Sequence, residues 1–131
     1  MHNELHEKYK HQAILILGSR PDTRAWSNEV GAAHVIADQY KPPEQRRIIR
    51  YGIPGSTDIQ GFTLIYNLPI FFGVEVKSGG AVLEKNQKDW QTMANHFNVI
   101  HLIHRGNDEK LRQDFEDACN RCRDIICEAR I

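Results

Sequence analysis

The stretch DIQGFTLIYNLPIFFGVEVK, residues 58–77, decides the fold. Its first part, Asp58 to Tyr66, is rich in β-branched and aromatic residues and reads as a strand with Ile59, Phe62, Leu64 and Ile65 as its apolar members. Ile70 to Lys77 reads as a second strand. Asn67-Leu68-Pro69 lies between them as a turn signal, so the two are expected to form a hairpin. The period of two along the second strand places Glu75 and Lys77 on one sheet face and Val74 and Val76 on the other.

Upstream, Tyr51-Gly52-Ile53-Pro54-Gly55 is a turn that feeds Asp58 into the hairpin. Before it, Lys41 to Pro43 breaks the chain, and Arg46, Arg47 and Arg50 surround Ile48 and Ile49 in an edge strand or an exposed basic loop. Trp26 to Ile36 reads as short strands, and Pro21-Asp22 marks a turn. Residues 3–17 read as a helix, because Leu5, Tyr9, Ala13, Ile16 and Leu17 recur at helical spacing and Gly18 follows. Downstream, Ser78-Gly79-Gly80 releases the chain into a helix from about Glu84 to Phe97. Asn98 to His104 is then a strand, and Asp108 to Ala129 a long amphipathic helix. The expected class is α/β (α+β), with a mixed central sheet flanked by helices.

A chain of 131 residues with 40% apolar and 26% charged content fits one domain, residues 1–131, with a core of its own. Lys plus Arg and Asp plus Glu are 17 each, so a nucleic-acid partner held by global positive charge is excluded and any such partner needs a local patch. No apolar run approaches a membrane span, and the start does not read as a signal peptide, so a soluble protein with no membrane partner is expected. Cys119, Cys122 and Cys127 are an odd number crowded near the end, which points to a reducing cytosol instead of a disulfide framework.

An acid two residues before a lysine is common by chance. Asp108 and Lys110 form another such pair, and the bland reading of Glu75 and Lys77 is a solvated ion pair. Two neighbours give the pair more weight. Asp58 at the start of the preceding strand would bring a second carboxylate beside Glu75, and two such carboxylates with a divalent cation between them suit Mg²⁺ or Mn²⁺. That convergence depends on register: pairing Tyr66 with Ile70 turns Asp58 to the opposite face unless a bulge, for which Gly61 is the candidate, restores it. The second neighbour is Gln87, which completes the stripe Leu83, Trp90, Ala94, Phe97 and so faces inward, toward the polar cluster or toward a nearby carbonyl.

Gly55-Ser56-Thr57-Asp58, then Phe72-Gly73-Val74-Glu75-Val76-Lys77-Ser78, then Gln87 resembles the VRR-NUC domain of the PD-(D/E)xK nuclease superfamily. The stretch from Leu17 to Arg24, with Asn28 and Gly31, is similar to stand-alone, phage-type members of that branch. The resemblance covers about residues 7–105 and leaves residues 108–131 as an additional C-terminal helix. Thr57 stands where the wider superfamily often has proline, and Ser27 where similar members often carry a basic residue.

The resemblance implies a restriction-endonuclease-like fold and a Mg²⁺-dependent deoxyribonuclease, with Mn²⁺ as a substitute. Asp58 and Glu75 would bind the metal together with the main-chain carbonyl of Val76. Lys77 would hold the attacking water or the scissile phosphate, and Gln87 would orient the cluster. An early helical acid is expected at Glu7, with Glu4 and Glu29 as alternatives. A divalent ion there polarises a phosphoryl oxygen and acidifies water, and Lys77 balances developing negative charge. Arg20, Arg24, Arg46, Arg47 and Arg50, with Lys41, are candidate phosphate contacts. The expected activity is endonucleolytic hydrolysis of DNA, structure-selective, in replication, repair or phage DNA processing within the cytoplasm of a bacterial or phage-infected cell. A Holliday-junction resolvase and a non-catalytic DNA-binding accessory module are the alternatives.

The stripe Leu111, Phe115, Ala118, Cys122, Ile125, Ala129 absorbs Cys122 as a packing residue, with Cys119 beside it, and no fourth cysteine completes an iron–sulfur site. His101 and His104, three apart on a strand, face opposite ways and cannot share a zinc ion. One chain carries one cutting centre, so a homodimer is expected for two-strand cleavage, with the last helix as the available surface.

Overall fold

A computed structural model describes residues 2–129, with side chains from residue 4. Helix α1 (His2–Gly18) leads into β1 (Thr23–Ser27), β2 (Gly31–His34) and β3 (Ile48–Tyr51). Then come β4 (Ile59–Ile65), β5 (Leu68–Val76), α2 (Lys85–His96), β6 (Ile100–His104) and α3 (Asp108–Ala129). Four strands make the central sheet in the order β1-β4-β5-β6, while β2 and β3 pair only with each other as a separate ribbon. The first three strands of the sheet are antiparallel; β6 runs parallel to β5, which requires the crossover that α2 supplies. The class is mixed α+β, with helices flanking a mixed sheet.

The hairpin is tighter than the sequence suggests. Ile65 pairs with Leu68, and Tyr66 and Asn67 alone make the turn, both with positive φ (52° and 63°). Two consecutive left-handed residues match the right-handed twist of the flanking strands, so the turn closes before Pro69 and not around it. Pro69 lies where β5 extends beyond β6, so its missing N–H leaves no gap in the pairing with that strand. The ladder runs without a bulge from Ile65–Leu68 to Ile59–Val74. Gly61 therefore has another purpose: a Cβ there would stand 2.2 Å from the Arg24 carbonyl oxygen and 2.4 Å from the Phe72 ring, which lies across it.

Alternation decides which face is buried. Ile59, Thr63 and Ile65 of β4 and Phe72, Val74 and Val76 of β5 join Leu102 of β6 in the core. Against them pack Ala13 and Leu17 of α1 and Leu111, Phe115, Ala118 and Cys119 of α3, with Phe72 edge-on to Phe115 at 5.2 Å. Thr23 and Thr63 are fully buried and bond each other at 2.8 Å, so no hydroxyl is left unsatisfied on that face.

Helix α3 is thus a core element, and its apolar stripe is covered by the sheet instead of being free for a second chain. At its far end Ile125 is exposed. Phe97, expected on the inward stripe of α2, is also exposed, because it caps the helix just where Asn98 (φ 57°) turns the chain into β6. The opposite sheet face is only partly covered by α2. Trp26, Phe62, Leu64 and Phe71 lie exposed there across β1, β4 and β5, with Trp26 edge-on to Phe62. No helix among the described residues is long and apolar enough to cross a membrane.

Candidate active site

The segment before β4 is fixed from three sides. Gly55 (φ 85°) lies so close to the first turn of α2 that a Cβ would sit 2.3 Å from the Asn86 carbonyl oxygen, so only glycine permits this approach. Asn28, just past β1, donates through Nδ2 to Ser56 Oγ (2.9 Å) and the Thr57 carbonyl (2.8 Å), and its main-chain N–H donates to the Asp58 carbonyl (2.8 Å). Thr57 Oγ1 donates to the Ile59 carbonyl, and a side chain at Gly73 would collide with that hydroxyl at 2.3 Å.

These restraints deliver Asp58 to the end of β5. Continuing the ladder one step past Ile59–Val74 sets Asp58 opposite Glu75, and Asp58 Oδ2 accepts the Val76 main-chain N–H at 2.8 Å. The contact Val76 makes here runs through its N–H and not its carbonyl. His6 of α1 approaches the same Asp58 oxygen, its Nε2 at 3.4 Å.

Glu75 is 2% exposed. Its Oε1 accepts from Gln87 Nε2 at 3.0 Å, while its Oε2 is buried. Burial pushes this carboxyl well above the usual carboxylate range, a side-chain hydrogen bond with Asp58 and the Asp58 charge add to the rise, and the charge of Lys77 opposes it. Lys77 follows β5 directly, half-buried, with its main-chain N–H bonded to the His104 carbonyl. Gln87 also accepts the Glu84 main-chain N–H through Oε1 at 2.9 Å, forming a capping box at the start of α2.

A cavity of about 380 Å³ opens beside Asp58, walled by α1, the two loop segments around Asn28 and Gly55, and the start of α2. Glu7 and Glu29 both line it, whereas Glu4 does not. Lys10, 7% exposed, lies between those two acids, its Nζ 3.0 Å from Glu7 and 3.9 Å from Glu29. The hydrogen bond from Lys10 holds Glu7 below the usual carboxylate range.

No group of three or more His, Cys, Asp or Glu side chains among the described residues is arranged to hold a metal ion. Two hard carboxyl groups do converge, however, one of them buried and close enough to the other to share a proton. That donor set fits a divalent cation that keeps most of its waters and takes one or two carboxylates from the protein.

The candidate phosphate-binding residues are dispersed. Arg20 is tied to Glu116 and Asp22 and lies over the Phe115 ring at 5.0 Å, bracing α3 against the turn before β1. Arg24 is exposed on the partly open sheet face, its Nη1 donating to the Thr23 carbonyl. Arg46, Arg47 and Arg50 are exposed on the ribbon or just before it. Cys119 and Cys122 are buried and free, Cys127 is exposed and free. His104 faces the core and His101 the other side, as their spacing requires.

His6 and Lys10 at the cavity escaped sequence reasoning, and Asn28 stood out there only in the resemblance, with no role assigned to it. Both had a signal, since positions 6, 10, 13 and 17 form one helical stripe whose inner end is Ala13 and Leu17. A comparison with known proteins returns no match of this chain to a protein-family model, a curated protein or a solved structure.

Proposed function

We infer that this chain is a divalent-metal-dependent nuclease that hydrolyses phosphodiester bonds in DNA, with a restriction-endonuclease-like fold and a site of the PD-(D/E)xK type. The observation that carries the reading is the convergence of Asp58 and the buried Glu75 at one end of the sheet. Two carboxyl groups this close, one of them buried, cost stability unless a proton or a cation lies between them, and a divalent cation is the ligand that gives the pair a use. This favours a catalytic protein over a binding-only module, for which that expense has no use.

A Mg²⁺ or Mn²⁺ ion bound there supplies Lewis-acid polarisation of a phosphoryl oxygen and acidification of water. Asp58 and Glu75 would hold the ion. Gln87 fixes the rotamer of Glu75, and the Val76 N–H and Asn28 fix Asp58 and the loop that carries it. Lys77 places a positive charge where negative charge grows on the phosphate. Glu7, held in its anionic form by Lys10, lies across the cavity as the helical acid, with Glu29 its neighbour.

Incubation with linear, nicked, flapped and four-way DNAs, in Mg²⁺, Mn²⁺ or chelator, tests the reading. Metal-dependent incision is expected, and a preference for the four-way substrate would mark the junction-resolving form. No incision of any substrate with either metal would remove it.

The homodimer belongs to the same reading, with its surface moved. Because α3 is packed into the core, the contact between copies falls on the partly open sheet face of Trp26, Phe62, Leu64 and Phe71, a contiguous apolar area of the kind that marks an interaction site. Phe62→Lys should then convert a dimer to a monomer in light scattering; a wild-type protein of only 15.1 kDa at micromolar concentration would reject the dimer.

A further inference from the structure

The β2–β3 ribbon projects from the sheet as a unit of its own. All four residues of β3 and three of the four in β2 are exposed, so no hydrophobic face accounts for its being there. It is nevertheless built with care. Between the strands, Asp38 is 1% exposed and accepts the main-chain N–H of Arg47 (2.9 Å), Arg47 Nε (2.8 Å) and Nη2 (3.0 Å), with Lys41 Nζ at 3.1 Å. Arg46 Nε donates to the Lys41 carbonyl at 2.9 Å. One buried carboxylate therefore fixes Arg47 and Lys41 of an otherwise exposed segment, and the Lys41 carbonyl fixes Arg46.

Residues 31–51 contain Lys41, Arg46, Arg47 and Arg50 against Asp38 and Glu44, in a chain whose net charge is zero. The register places Ala32, His34, Ile48 and Arg50 on one face of the ribbon, where Ala32 adds little bulk and Arg50 forms no ion pair or side-chain hydrogen bond among the described residues. Both feet of the ribbon are cavity walls. Glu29 and Val30 precede β2, Pro54 and Gly55 follow β3, and Gly52 (φ 73°) holds the two feet together, since a Cβ there would lie 2.5 Å from the Glu29 carbonyl oxygen.

We propose that this ribbon is an arm that lies in the major groove of a double helix and sets that duplex in register with the cavity. The proposal rests on the nuclease reading and adds to it that the substrate is double-stranded beside the bond to be cut. A major groove about 12 Å wide admits a two-stranded ribbon. Excess positive charge on the arm complements the phosphate walls, and feet shared with the cavity turn a grip on the duplex into placement of a phosphate near Asp58.

The test is equilibrium binding of fluorescent duplex and single-stranded DNA, in chelator and over a range of salt, by wild type and by the double variant R46A/R50A. Expected is at least a tenfold loss of duplex affinity at low salt, with the slope of log affinity against log salt reduced by about 2, since each lost phosphate contact removes about 0.9. In Mg²⁺ the variant should show a raised KM with little change in kcat. Unchanged affinity and slope in a variant that still cuts DNA would overturn the arm and leave the nuclease reading standing. Equal losses on single strands and duplex would overturn it too, and a wild type that neither binds nor cuts DNA would overturn both readings together. Chemical protection probes the arm without any substitution: acetylation of Lys41 should be suppressed by duplex while Lys85 and Lys110 react as before, and an unprotected Lys41 would reject the arm.

Discussion

Gln87 bonds Glu75 and the start of its own helix at once, its Nε2 donating to Glu75 Oε1 at 3.0 Å and its Oε1 accepting the Glu84 main-chain N–H at 2.9 Å. Orientation of the candidate metal ligand and capping of the start of α2 thus fall to one side chain. Gln87→Ala should lose both, with a fall in unfolding free energy of about 2 kcal/mol and metal-dependent cleavage reduced at least tenfold. Urea denaturation alongside a cleavage assay checks it; loss of stability with undiminished cleavage would show that Gln87 is a cap alone.

Asp58→Ala and Glu75→Ala should each abolish cleavage while leaving the circular-dichroism spectrum intact, because each removes one hard oxygen donor from the site. Full activity in either purified variant would refute the assignment.

Glu75 also makes a pH signature. With its folded-state pKa raised to about 9 from an ordinary 4.5, the folded protein keeps a proton that the unfolded chain has released. Stability from this group is therefore complete below about pH 4.5 and is lost progressively as pH rises toward 9. In chelator, the unfolding free energy of wild type should decline across that window relative to Glu75→Gln, by at most about 1.4 kcal/mol per pH unit in urea denaturation. Parallel profiles would mean that Glu75 ionises normally.

Gly61→Ala places a methyl group against the Arg24 carbonyl and the Phe72 ring, where neither backbone nor a packed aromatic yields cheaply. A destabilisation of about 3 kcal/mol is expected in chemical denaturation. A wild-type midpoint would show that β1 and β4 can separate without cost.

Cys122→Ala should cost about 1 kcal/mol and leave specific activity near wild type, since Cys122 is a buried member of the α3 stripe and lies away from the cavity. Stoichiometric iron or zinc in the purified protein would contradict a packing role.

Periodicity made the helices and the hairpin legible, because alternation in 58–77 and the helical stripe in 108–129 follow directly from which face meets the core. The pairing register was not legible. Two positive-φ residues at Tyr66 and Asn67 are an unusual choice beside an Asn-Leu-Pro sequence that advertises a later turn. Asp58, Glu75, Lys77 and Gln87 stood out as residue types at fixed spacing. His6, Lys10 and Asn28 reach the cavity only through contacts between elements far apart in sequence, and nothing local marks Asn28 as the clamp on residues 56–58. The second role of Gln87 was hidden because glutamate is an uncommon N-cap, so Glu84-x-x-Gln87 does not advertise a capping box.

The two-residue turn at Tyr66 and Asn67 has a remote effect. It lies seven residues of β4 from the cavity, about 24 Å along the strand. Yet the hairpin acts as a ruler whose zero is set there. Adding one residue to that turn, if β5 kept its place beside β6, would shift β4 by one step and turn Asp58 to the far face of the sheet, with every side chain of the site unaltered. The chemistry at one end of this hairpin is therefore guarded by chain length at the other, and a survey of insertions should find the turn less tolerant than its exposure suggests.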